Sequence, residues 1–163
     1  MARLPAVARY RFLTTWLLDA PRERVWGQLE DAVSWPEWWQ GVVRVEELDP
    51  GDENGVGGRH RIQWRSRIPY PIEFEFLTDE VDAPRRMAGR ASGELAGTGV
   101  WRLWEDGGLT AVVYDWDVTT TKPWMNALAP VARPVFAWNH DAVMRQGGEG
   151  LARRLGARLL AHG

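Results

Sequence analysis

Apolar residues in the last third of the chain recur at steps of three and four. Phe136, Val143, Met144, Gly147, Leu151, Leu155 and Leu159 share one side at helical spacing, with His140 among them. That spacing marks a helix with one buried face. Asp141, Arg145, Glu149 and Arg153 take the opposite side. From Pro134 to Leu160 such a helix would run about 40 Å, at roughly 1.5 Å per residue. A rod of that length needs something broad to lie across. Gly147, Gly148 and Gly150 interrupt the stripe. Each costs a helix about 1 kcal/mol relative to alanine. Either the helix kinks there, which would open a pocket mouth for ligand, or a neighbouring group approaches its backbone closely.

The rest of the chain alternates with period two, the signature of strands. Tyr10, Phe12, Thr14, Trp16 and Leu18 form one face of a first strand. Asp19-Ala-Pro21 then starts a helix, with proline suited to its first turn. Ser34-Trp-Pro-Glu37 matches a capping box and starts a short second helix. Strands follow over Val42 to Leu48, Gly58 to Arg65, Ile72 to Val81, Arg86 to Leu95, Val100 to Glu105 and Leu109 to Thr121. Turn formers separate them: the loop from Asp49 to Gly55, Pro69-Tyr-Pro71, Ala83-Pro84, Gly97-Thr-Gly99 and Glu105-Asp-Gly-Gly108. Lys122 to Asn126 leaves the sheet through a short helical turn, and Pro130 and Pro134 bracket the start of the long helix. Short connections between consecutive strands imply an antiparallel meander. The expected fold is α+β: a curved antiparallel sheet of about six to seven strands, in the order β-α-α-β-β-β-β-β-β-α, wrapped around the C-terminal helix as one domain, 1–163.

Composition narrows the function. The 163 residues carry a net charge of −2 with no long run of one sign, which argues against nucleic acid as a partner. There is no cysteine, so thiolate chemistry and disulfides are excluded. No apolar run reaches the roughly 18 residues of a membrane span, and no signal peptide is evident; a cytoplasmic location is expected. His60, His140 and His162 are too scattered for a metal site, and no phosphate-binding loop or cofactor motif is present. The unusual feature is 11 tryptophans against 4 phenylalanines and 3 tyrosines. Indole N–H groups seek acceptors. A small chain that cannot hide all of them in one tight core would line a cavity or a partner surface with some.

Local sequences resemble the START-like, helix-grip (SRPBCC) superfamily. They are Asp19-Ala-Pro-Arg-Glu-Arg-Val-Trp26, Trp35-Pro-Glu-Trp38, Gly93 to Leu103 and Tyr114-Asp-Trp-Asp-Val118. Lys122-Pro-Trp-Met-Asn126 and Trp138-Asn-His-Asp-Ala-Val-Met144 are similar to bacterial members described as polyketide cyclase/dehydrase. The resemblance implies a sheet gripping a helix over a hydrophobic ligand. It does not select an activity, because one scaffold serves many functions.

The residues offer several candidate roles. Ile62, Trp64, Phe74, Tyr114 and Trp116 form the expected apolar floor, with Phe136, Asn139, His140 and Val143 above it, around a hydrophobic small molecule. His140 is the candidate catalytic acid or base, since imidazole titrates near neutrality; the alternative is a core histidine bonded to a carbonyl. Asn139 either orients a ligand carbonyl or ties the helix to a loop. His60 either reaches the same space or sits at the sheet's exposed end. Asp115 and Asp117 share a face, but it is the one opposite Tyr114 and Trp116, so solvent or arginine is their expected environment. Three functions follow: a hydrophobic-ligand carrier, a cyclase or dehydratase using His140, or an interaction module presenting Trp35, Trp38 and Trp39.

Overall fold

The period-two segments become one eight-stranded antiparallel sheet in the computed structural model, which describes residues 8–65 and 71–163. The chain opens with β1 (Arg9–Leu18), α1 (Arg22–Glu30), a single 3-10 turn (Ala32–Ser34) and α2 (Trp35–Trp38). β2 (Val42–Asp49), β3 (Arg59–Trp64), β4 (Ile72–Asp82), β5 (Arg86–Gly93), β6 (Leu95–Asp106) and β7 (Leu109–Thr120) follow. α3 (Pro123–Ala127), α4 (Ala129–Leu155) and β8 (Leu159–His162) complete it. The strand order is β2-β3-β4-β5-β6-β7-β1-β8. The meander therefore closes back on the first strand, with Phe12 opposite Trp116 and Tyr10 opposite Val118. Of the break expected at Pro69-Tyr-Pro71, Pro69 and Tyr70 lie outside the described residues.

Three local expectations are corrected. Gly97-Thr-Gly99 is not a turn but the middle of β6, paired with Trp116, Asp117 and Val118 of β7. A side chain at Gly97 would strike the Asp117 carbonyl, and one at Gly99 would come within 2.9 Å of the Trp116 ring. Close packing, not chain reversal, requires these glycines. Ser34 makes no helix cap; its hydroxyl donates to the Asp31 carbonyl at 2.8 Å and closes the 3-10 turn. The long helix stops at Leu155, short of Leu159. Gly156 takes a left-handed φ of 62°, its N–H bonds the Arg153 carbonyl and the Ala157 N–H bonds the Ala152 carbonyl. This pairing satisfies the last helical carbonyls and ends the helix. The freed tail returns as β8 against β1, an eighth strand where six to seven were expected.

α4 crosses the concave side of the sheet as one helix of 27 residues. Its glycines mark close approach. The Trp39 indole N–H donates to the Val143 carbonyl at 2.9 Å, and that of Trp16 to the Met144 carbonyl at 3.1 Å. Those carbonyls lie four residues before Gly147 and Gly148. In a helix the side chain at i+4 overhangs the carbonyl at i; with glycine there, the indole reaches it. A side chain at Gly147 would come within 2.5 Å of the Trp39 ring, and one at Gly150 would strike the Trp38 carbonyl. Trp35, Trp38 and Trp39 are buried, at 8%, 6% and 0% exposure, so they cannot form the exposed contact of the interaction-module reading. With Trp16 and Trp101 they fill the space under the C-terminal half of α4, at ring separations from 5.5 to 6.4 Å.

Candidate functional site

Under the N-terminal half of α4 the packing opens. A cavity of about 110 Å³, open to solvent on one side, lies between helix and sheet. Alternation on β7 aims Tyr114, Trp116, Val118 and Thr120 into it, and β1 supplies Tyr10 and Phe12 as a side wall. Phe74 and Ile72 of β4, Trp64 of β3 and Leu95 of β6 extend the floor. Phe136, Asn139, His140, Val143 and Met144 form the roof, and Met125 of α3 stands at one end.

Of the nine residues expected to surround the ligand, all but one face this space. The exception is Ile62, which is 4% exposed and packs in the core one step along β3 from Trp64. His60 lies further along, 3.6 Å from Glu47, and lines a different hollow. Tyr10 and Phe12 were missed as lining residues although their alternation was plain. Nothing local shows that β1 pairs with β7, about a hundred residues on; only closure of the sheet brings that wall round. Asp117 meets Arg9 through two hydrogen bonds of 2.8 and 2.6 Å, and Asp115 lies 3.7 Å from Arg11, on the convex face. The Arg9 hydrogen bonds hold the Asp117 carboxyl below its ordinary range. This pair is exposed and screened. Asp117→Asn should leave both the unfolding midpoint and any ligand affinity unchanged in calorimetry.

The cavity wall is almost wholly apolar, and its few polar atoms stand out. Among the described residues, both nitrogens of His140 are buried without a hydrogen-bond partner, as are Tyr10 Oη and Trp64 Nε1. The imidazole stacks flat on Phe12, with ring centres 4.0 Å apart at 12°. Its Nδ1 is 3.7 Å from Asp141 Oδ1, too long for a hydrogen bond. Burial pushes the His140 pKa down to about 4 against the opposing pull of Asp141. The ring is therefore neutral at pH 7. Burial raises the phenol of Tyr114, stacked 3.9 Å from Trp101, and that of Tyr10, where Arg133 opposes it. Thr120 donates its hydroxyl proton to Asn126 Oδ1 at 2.6 Å, which also accepts the Ala8 N–H. Among the described residues, no Asp, Glu, Lys or Arg lines the cavity, and no three potential metal ligands gather anywhere.

Residues 11–156 match the family described as polyketide cyclase / dehydrase and lipid transport. The chain belongs to this family. No curated protein matches it. Solved structures share the family's fold at low identity. The Zhui aromatase/cyclase from Streptomyces sp. R1128 aligns with a TM-score of 0.75 at 18% identity, over 91% of this chain and 94% of that one. TTHA0849 from Thermus thermophilus gives 0.72 at 17%, over 90% and 99%. A START superfamily protein from Mycobacterium smegmatis gives 0.68 at 13%, over 90% and 97%. These likenesses show the helix-grip fold, in which a long C-terminal helix lies over an antiparallel sheet. Among the described residues, no helix is long and apolar enough to cross a membrane.

Proposed function

We propose that this family member binds a flat, uncharged, mostly apolar molecule, aromatic or lipid-like, between its sheet and α4. One observation carries the reading: an open apolar cavity retains buried polar groups, on Tyr10, Trp64 and His140, that none of the described residues satisfies. Such groups cost about 1–3 kcal/mol each when left unpaired. A ligand with oxygens at matching places removes that cost. Among the described residues no cation lines the cavity, Arg133 lying outside it over the Tyr10 ring, so a carboxylate or phosphate placed deep inside would lie unpaired, which favours a neutral ligand.

A cyclase or dehydratase using His140 is the second reading. The uncommitted imidazole favours it; its acidity does not. With a pKa of about 4, only about one ring in a thousand is protonated at pH 7, and the neutral ring is a weak base. Binding is therefore the stronger conclusion.

The test is native mass spectrometry of freshly purified protein for a retained compound, followed by calorimetry with hydroxylated polycyclic aromatics and their unsubstituted parents. Tyr10→Phe and Trp64→Phe should each weaken the hydroxylated ligands by roughly 2- to 10-fold, the worth of one hydrogen bond. Affinity for the parents should not fall. If nothing co-purifies and no compound of either kind can be loaded, the reading is wrong.

A further inference from the structure

The concave face holds a second hollow beyond the first. It lies between α1 with its 3-10 turn, the loop after β2 from Pro50 to Gly55 and the far ends of β3, β4 and β5, and has a volume of about 510 Å³. Trp26, His60, Thr78 and Met87 are in its walls, and Glu30, Glu47 and the acidic loop after β2 form its rim. β3 and β4 run under both hollows. The inward positions of β3 are Trp64, Ile62 and His60: Trp64 lines the first, His60 the second and Ile62 neither. On β4 they are Phe74, Phe76 and Thr78, in the same relation. Register sets Ile62 opposite Phe74 and His60 opposite Phe76. The separating wall is therefore one inward residue thick on each strand.

Phe76 stands on a floor without side chains. A Cβ on Gly89 would strike the Leu77 carbonyl and come within 2.5 Å of the Phe76 ring, and one on Gly99 would come within 2.9 Å of Trp116 and 3.1 Å of Phe76. The ring lies directly over the backbone at both positions. Trp116, which lines the first cavity, adjoins it with ring centres 6.3 Å apart. Removal of the ring leaves only backbone beneath that part of the wall on β5 and β6.

We infer that the two hollows are ends of one channel, divided by Phe76 with Ile62, and that Phe76 sets the longest ligand the first cavity admits. The role in ligand length rests on the binding function proposed above; the partition itself does not. Neutral n-alkan-1-ols of increasing length are the probe, titrated calorimetrically into the full chain. With the natural sequence, affinity should climb about fourfold per methylene, the transfer value, until the chain meets the wall, and then stop rising. In Phe76→Ala the climb should continue through several further methylenes. Phe76→Leu, which keeps most of the packing, should stop between the two. An unchanged limiting length in both variants, with native circular dichroism, overturns the inference. If the unaltered protein takes no alcohol, the binding function is judged by the aromatic ligands above, and a crystal structure of the Phe76→Ala variant decides the partition. Continuous free space from Trp64 to His60 supports it; a resealed wall refutes it.

Discussion

Gly150→Ala is expected to lower the unfolding midpoint by roughly 6–12 °C, although alanine is the better helix former. On propensity alone the change should stabilise α4 by about 1 kcal/mol. The added methyl group, however, would strike the Trp38 carbonyl, which is backbone and cannot swing aside. Relief requires α4 to lift from α2. That would strain the contacts beside it, where Trp39 and Trp16 donate to the Val143 and Met144 carbonyls. Overpacking typically costs about 1–3 kcal/mol and sometimes more, and a rigid backbone target places this case at about 3. Each kcal/mol moves the midpoint of a domain this size by about 2–4 °C. Differential scanning calorimetry measures it directly. A rise in midpoint would mean that propensity governs this position and that the close approach has been misjudged.

The second large effect concerns pH. Stability should fall as pH drops from about 6.5 towards 4, and His140→Phe should abolish that component. The unfolded imidazole titrates near 6.5, the folded one near 4. Between those values the unfolded chain takes up a proton that the folded chain refuses, so acid favours unfolding. The contribution is complete above the unfolded pKa and is lost on the way down to the folded one. At roughly 1.36 kcal/mol per unit it amounts to about 3 kcal/mol. Phenylalanine keeps the flat contact with Phe12 and has no nitrogen to leave unpaired. Urea midpoints from pH 4 to 7.5 for both proteins isolate the effect, because carboxylate titrations common to both cancel in the difference. Parallel pH curves would show that His140 is reached by water or bonded, and would also weaken the case for an unsatisfied imidazole in the cavity.

Much of this architecture could be read from local pattern. The even-numbered residues of β7 and the stripe from Phe136 to Leu155 announced their inward faces, because periodicity depends only on backbone geometry. The same alternation sent Asp115 and Asp117 outward. Where local chemistry has two meanings, reading failed. Glycine at 97 and 99 signals a turn or a close approach, and only the Asp117 carbonyl and the Trp116 ring on the neighbouring strand decide which. Leu159 fits the helical stripe by spacing, yet Gly156 had already ended the helix.

What the sequence determined by itself was the alternation of each strand, the apolar side of the last helix and, through these, the residues that face inward. Tertiary structure decided which inward residues meet one another and which leave a gap. It brought β1 against β7, filled the C-terminal half of the groove with indoles and left the N-terminal half open around His140. The physical reason is that facing inward is a local property of φ and ψ. Filling a volume is a collective one, fixed by every side chain that competes for the same space.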